Sequence, residues 1–370
     1  MQSTRRVLLS IVGARPQFVK LAPIVRAIEA QSGPGSTLIR HVVVHTGQHY
    51  DEAMSDVFFR DLALPKPDHH LEVGSASHAT QTARMLERLE PVLLEEKPDW
   101  TIVYGDTNST LAGALAAAKL HLRVAHIEAG LRSFNREMPE ETNRVVADHL
   151  SDLLFCPTAA AVDNLAREGI TRGVHQVGDV MADAVLQHAE IARRRSSALA
   201  ELGLKRREYA LATIHRAENT DDPGRLSALL AALDEIAVGR MPVLLPLHPR
   251  TRKALDALAL KPRSRRLRLV PPASYLDMLA LESEARLILT DSGGVQKEAF
   301  LLAVPCLTLR EETEWVETVA SGWNLLVGAD QARIVDGACR LLSEPPSPFG
   351  VPPYGDGHAA ERIVGVLLDA

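Results

Sequence analysis

Two successive α/β units, each built on a mostly parallel sheet, are the fold class that this 370-residue sequence predicts. Three observations carry the prediction. Short apolar runs alternate with helical runs from end to end. The length is long for one domain and comfortable for two. The alternation restarts after Gly178, with no Gly/Ser linker at the join. The expected domains are residues 1–178 and 179–357, followed by a last helix at 358–370.

In the first unit, strands are expected at 7–12, 41–45, 100–104, 123–127, 152–156 and 174–177. Each is a run of four to six mostly apolar residues, the length of a buried strand. Helices are expected at 18–29, 51–59, 80–95, 111–120 (rich in Ala and Leu) and 159–167, with another opening at Glu140. One long helix is expected over 180–202. In the second unit, strands at 209–213, 243–246, 267–270, 287–290 and 305–308 alternate with helices at 225–236, 251–258, 275–281, 295–302 and 333–342. A loop rich in Pro and Gly, 344–357, leads to the last helix.

The composition excludes several classes. Lys+Arg of 41 against Asp+Glu of 47 gives a net charge of −6, and with no basic tail this argues against a nucleic-acid partner. No apolar run is long enough to span a membrane. The first strand follows Met1–Arg6 directly, leaving no room for a signal peptide. Cys156, Cys306 and Cys339 have neither disulfide parity nor metal spacing; they read as reduced core residues of a cytoplasmic protein. No dinucleotide fingerprint, Walker loop, nucleophile elbow or metal-ligand cluster is present.

The chemistry gathers where strands end, because ligands of parallel α/β sheets bind at the carboxyl edge. Asp106 and Glu128 follow two such strands, and Glu140 opens the next helix. Three carboxylates at one edge suit proton transfer. The plain alternatives are that Asp106 caps the following helix and that Glu140 pairs with Arg144 at i, i+4 spacing. Glu128 has no such alternative: it lies in an apolar run just before Gly130. Arg15 projects from the turn after the first strand, and Lys20 follows on its helix; either a phosphate contact or a surface cation fits Arg15. The turn Asp291-Ser292-Gly293-Gly294 leads from a strand into a helix carrying Glu298. It fits a phosphate held on helix N-terminal amides, or an ordinary turn capped by Ser292. Glu298 fits a ribose diol or solvent. His215, and His248 with Arg250, follow strands of the second unit. His41 and the pair His69-His70 lack this placement and are given no role.

Taken together, these stretches resemble the bacterial non-hydrolysing UDP-N-acetylglucosamine 2-epimerases. The matching segments are 13–20, 46–59, 104–111, 126–144, 215–219, 247–250, 291–298 and 353–357, in order over nearly the whole chain. The resemblance implies a GT-B fold, two Rossmann-like doubly wound domains facing a central cleft, with the last helix packed back on the first domain. By position it implies catalytic roles for Asp106, Glu128, Glu140 and His215. Ser292, Gly293 and Gly294 fall on the family's diphosphate contacts, Glu298 on its ribose contact, and Arg15 near the phosphates; Lys20, His248 and Arg250 join this UDP-binding set. Gln48 and His49 fall where some members hold a second UDP-sugar as activator. A homodimer, no cofactor and no metal are implied as well. Ala14 and Gln17 depart from the Thr and Glu of many members. The loop 133–137 also differs from the enterobacterial form, and these variants resemble a branch that includes epimerases of UDP-2,3-diacetamido-2,3-dideoxyglucuronate.

The implied reaction is loss of UDP to a 2-acetamidoglucal and re-addition with inversion at C2. It needs stabilisation of the leaving diphosphate and a proton-transfer group on each face. A hydrolysing epimerase, a GT-B glycosyltransferase and a silent nucleotide-sugar sensor are the alternatives. The last should have lost some of the three acids, and all are present.

Overall fold

The computed structural model describes residues 6–32, 39–48, 62, 64–347 and 353–370. The helix expected at 51–59 and the residue His49 lie outside the described residues. The chain divides into two units, Met1–Ala184 with Pro352–Ala370, and Val185–Val351.

The first unit holds seven parallel strands: β1 (Arg6–Val12), β2 (Ile39–His45), β3 (His69–His70), β4 (Trp100–Tyr104), β5 (Val124–Ile127), β6 (Leu153–Cys156) and β7 (Val174–Gln176). Their order is β3-β2-β1-β4-β5-β6-β7. Central strands such as β4 are buried at every residue, which explains why they read as continuous apolar runs rather than alternating ones. The helix Asn108–Lys119 is rich in Ala, with one Gly, because it lies hard against the sheet. A Cβ at Gly113 would come within 2.9 Å of Ile11 and 3.0 Å of Val103. Leu9, Ile11, Val42, Val44 and Val103 form the core beneath it.

The last helix, Ala359–Asp369, packs against Arg15–Ser32 within this unit. Its first amides are met by a carboxylate: Ala359 N and Ala360 N donate to Asp183 at 3.2 and 2.7 Å. Burial pushes the Asp183 carboxyl up to about 6, against the pull of those two donors.

The second unit holds six parallel strands: β8 (Ala210–Thr213), β9 (Val243–Pro246), β10 (Leu267–Val270), β11 (Leu287–Thr290), β12 (Cys306–Thr308) and β13 (Asn324–Leu326). Their order is β10-β9-β8-β11-β12-β13. Leu245, Leu289 and Leu307 join Leu229 and Leu233 of the helix Pro223–Gly239 in one core.

Several expectations need correction. The long helix over 180–202 is two helices, Val180–Arg195 and Ala198–Glu201. Ser196 ends the first: its hydroxyl donates to Asp277 at 2.6 Å and accepts from Ala198 N at 3.2 Å, so the side chain competes with the helix ladder. His69-His70 is the short edge strand β3, too brief to show any period. The strand β13 and the helices Ala217–Thr220 and Val316–Ala320 were unforeseen for the same reason. Cys156 and Cys306 are buried free thiols, but Cys339 is only half-buried and accepts from Arg240 Nη2 at 3.1 Å.

Candidate functional site

In each sheet the strand order reverses direction at one place. In the first unit this switch lies between β1 and β4, and in the second between β8 and β11. Loops leaving those neighbouring strands go to opposite faces, and the carboxyl edge between them is where parallel α/β proteins bind ligands. The loops at the two switches are those that carry Arg15, Asp106, His215 and Ser292.

At the first switch a buried glutamine ties the two loops together. Gln17 Oε1 accepts from Gly13 N at 2.8 Å and Ala14 N at 3.1 Å. Its Nε2 donates to Tyr104 O at 2.9 Å and Thr110 Oγ1 at 3.1 Å. Gly13 is sterically required, since a Cβ there would lie 1.9 Å from Thr46 Oγ1 and 2.3 Å from Ser109 Oγ. Gln48 Oε1 accepts from Ser109 N at 3.1 Å and Ser109 Oγ at 2.7 Å, so it fixes the first turn of the helix Asn108–Lys119. Arg15 opens its helix; its side chain lies outside what the structure describes.

The three acids stand in different settings. Asp106 does not cap the following helix, whose N-cap is Thr107. It forms an ion pair with Arg144 Nη2, and its backbone carbonyl accepts from Asn143 Nδ2 at 2.9 Å. Arg144 is buried and bridges to Glu141 Oε2 at 2.9 Å. The expected Glu140–Arg144 pair is therefore not formed. Glu141 also accepts from Ser133 N, Ser133 Oγ and Phe134 N at 2.9, 2.9 and 3.0 Å. Burial opposes its charge, but these donors and Arg144 outweigh burial and hold the carboxyl below its usual range. Glu140, half-buried in the first turn of the helix Pro139–Leu150, has no hydrogen bond or ion pair among the described residues. Glu128 has a left-handed backbone, φ 73°, and pairs with Lys20 Nζ. The pair lies beside Gly105, where a Cβ would sit 3.1 Å from Lys20 Nζ and 3.9 Å from Glu128 Oε2.

At the second switch the buried tie is a carboxylate. Asp291 accepts from His215 N (3.1 and 3.0 Å to its two oxygens), Arg216 N (3.0 Å) and Asn219 Nδ2 (3.1 Å). His215 Nδ1 lies 3.2 Å from its Oδ1. Burial alone would raise the Asp291 carboxyl, but His215 and the amide donors hold it below its usual range. The rings of His215 and His248 are 5.6 Å apart. His248 is lowered, first by burial and then by the neighbouring His215 and Arg250, with Asp291 opposing. It caps the helix Pro249–Ala257, accepting from Arg250 N at 3.2 Å, while the exposed Arg250 side chain lies 3.8 Å from Asp221.

Ser292 caps the helix Gly293–Leu301 and its own N–H donates to Thr290 Oγ1 at 2.9 Å. A Cβ at Gly293 would lie 2.2 Å from Glu314 Oε1, whereas Gly294 is exposed. Glu298 is buried one turn along.

The first crevice thus gathers Lys20, Asp106 and Glu128 on the loops and helix beside β1, β4 and β5. The second gathers His215, His248, Ser292, Gly293 and Gly294, and leaves Arg250 on its rim. Sequence reasoning missed the roles of Asp291, Asn219, Glu141 and Arg144. It also missed Arg310, which follows β12 and lies 3.2 Å from Glu314 and 3.7 Å from Glu218. A position just past a strand end was the available signal for Asp291 and Arg310. The described residues contain no group of three or more His, Cys, Asp or Glu side chains that could hold a metal. None of their helices is long and apolar enough to cross a membrane.

Known proteins match this chain over nearly its whole length. Residues 35–368 match the family model described as UDP-N-acetylglucosamine 2-epimerase. The UDP-2,3-diacetamido-2,3-dideoxy-D-glucuronate 2-epimerase of Pseudomonas aeruginosa is 49% identical over 364 residues, 97% of this chain and 99% of that one. A protein of Methanococcus maripaludis named a UDP-N-acetylglucosamine 2-epimerase homolog is 47% identical over 364 residues, again 97% and 99% of the two chains. Among solved structures, the Methanocaldococcus jannaschii UDP-GlcNAc 2-epimerase in complex with UDP-GlcNAc and UDP matches with a TM-score of 0.86 at 44% identity, covering 98% of this chain and 100% of that one. With two parallel-sheet α/β domains of GT-B type and relatives in bacteria and archaea alike, the chain belongs to the UDP-N-acetylglucosamine 2-epimerase family, a family of isomerases.

Proposed function

We propose that this protein interconverts UDP-GlcNAc and UDP-ManNAc without hydrolysis, in the cytoplasm, by eliminating UDP and adding it back. The observation that carries the reading is the set of three acids at the carboxyl edge of the first sheet, with Asp106 and Glu128 anchored by separate cations. The hydrogen on C2 has no adjacent carbonyl, so direct removal is prohibitively uphill. Breaking the C1–O bond first, with the electron pair leaving on UDP, builds positive charge that acidifies C2–H. A carboxylate takes that proton, leaving a 2-acetamidoglucal. A second acid protonates C2 from the opposite face as the diphosphate returns to C1. Two of Asp106, Glu128 and Glu140 serve these faces. The Ser292–Gly294 turn, His215 and Arg15 take the diphosphate, and Glu298 the ribose. A homodimer and an activator contact at Gln48 and His49 belong to the same reading.

A second substrate is favoured by the 49% identity to the diacetamido-uronate enzyme. Incubation with each UDP-sugar, followed by NMR, decides between them. The expected product from UDP-GlcNAc is UDP-ManNAc at equilibrium. Turnover of the diacetamido uronate alone would move the substrate assignment. Release of free N-acetylmannosamine would make the enzyme hydrolysing, and no reaction with either sugar would refute the reading.

The ribose assignment has its own measurement. Glu298→Ala should weaken UDP binding by about 1.5–3 kcal/mol, the value of a hydrogen bond to a charged group. Calorimetry on the folded variant reads it, and unchanged affinity removes Glu298 from the site.

A further inference from the structure

We propose that His126 and Asp148 are positioning residues that fix Glu128 for proton transfer; this rests on the reading of Glu128 as an acid acting on the sugar. His126 is the last residue but one of β5, and its ring is wholly buried. Its Nδ1 lies 2.7 Å from Asp148 Oδ1 and its Nε2 lies 2.7 Å from Gly105 O. Both neighbours are acceptors, so the ring satisfies them by donating from both nitrogens, as an imidazolium.

Asp148 works at both ends of the same turn. Its second oxygen accepts from Gly130 N at 3.1 Å and from Arg132 Nη1 at 2.7 Å. Glu128 lies between these anchors. Its N–H and that of Ala129 share one acceptor, Phe155 O, at 3.1 Å each, which bends the chain into the left-handed conformation at Glu128. Such a conformation in a non-glycine residue persists only where surrounding contacts determine it. Gly130 closes the turn, and a Cβ there would lie 2.3 Å from Ala161 O. On the other side, Gly105 N donates to Ile127 O at 2.9 Å, and Gly105 is the backbone against which the Lys20–Glu128 pair rests.

One chain of contacts therefore runs from the exposed Glu168 through Arg132 into the buried Asp148 and His126 and on to Gly105, and it sets where the Glu128 carboxylate stands. The charged and titratable groups facing it are Arg132, Glu168, His149 (whose Nε2 lies 3.4 Å from Glu168) and Cys156. With an imidazolium at His126 the four charges balance. Burial opposes the charge on Asp148, but His126 and Arg132 hold its carboxyl below its usual range; burial pushes the Cys156 thiol up to about 12, so it stays neutral.

The test is a double-mutant cycle. His126→Gln can still donate to Gly105 O but not to Asp148. It should lower kcat by about 10²-fold, as a misplaced catalytic group does, with little change in KM. In a Glu128→Gln background the same change should lower kcat by less than about threefold, because its effect passes through Glu128. Asp148→Asn should behave alike. Losses that multiply in full would overturn the proposal while leaving the reading of Glu128 intact. Full activity of Glu128→Gln alone would overturn the reading and the proposal with it. Should these variants fail to fold, the unmodified protein still decides. NMR of isotope-labelled histidine should show one buried ring with protons on both nitrogens, and a single proton on that ring would overturn the proposal.

Discussion

In D2O, every inverted product molecule is expected to carry deuterium at C2. Under the proposed mechanism the proton removed from C2 goes to a carboxylate that exchanges with solvent, and the opposite face is protonated by a different group. Glu128→Gln and Glu140→Gln keep side-chain size but remove the titrating proton. Each should lower turnover by about 10²–10⁴, the contribution of one general acid or base. The two should differ in stability. Glu140 has no described partner, so its replacement should leave the unfolding free energy within about 0.5 kcal/mol. Glu128→Gln removes the charge facing Lys20 in a setting only 11% exposed, and should be measurably destabilised. A variant that eliminates but re-adds poorly should release UDP and the glycal. Product that keeps its original C2 hydrogen throughout would sink the scheme and return the three acids to structural roles.

Asp291→Ala should be the most damaging single change in the second unit. The carboxylate serves His215 N, Arg216 N and Asn219 Nδ2 at once, and it is fully buried. Removing it orphans three donors. The expected loss is about 3–5 kcal/mol, as for breaking a buried charged contact. UDP binding should fall with it, because the His215 loop loses its tie to the Ser292 turn. The pH dependence has a fixed sign. The folded carboxyl is held below its unfolded value, so its contribution is present above the unfolded pKa of about 3.9 and disappears as pH falls further. Denaturant unfolding of wild type and variant should therefore differ fully at neutral pH and converge below about pH 4. A constant difference across that range would show that the Asp291 charge is not what matters.

Strand ends were the most legible feature of the sequence. β4, β9 and β11 fall where the apolar runs place them. A strand buried on both faces must be apolar throughout, so its ends show as the first polar or glycine residue. Asp106, His215 and Ser292 were visible for that reason alone. Family motifs then carried roles onto those positions, and those roles stand here as proposals.

The partners of these residues were not legible. Asp106 and Arg144 lie 38 positions apart, and spacing along one helix suggested Glu140 for Arg144 instead. Local spacing tells which side chains share a helix face; it does not tell which of them turns inward to another loop. The sequence by itself determined the alternating elements, two parallel sheets and membership of one family, because burial periodicity and loop motifs are written locally. Only the tertiary structure decided that Lys20 faces Glu128, that Gln17 and Asp291 tie the two switch points, and that His126 and Asp148 brace the turn at Glu128. These are pairings between side chains on different elements. They exist because a buried polar group must find a partner, and which partner lies within reach is set by how the strands are ordered in the sheet.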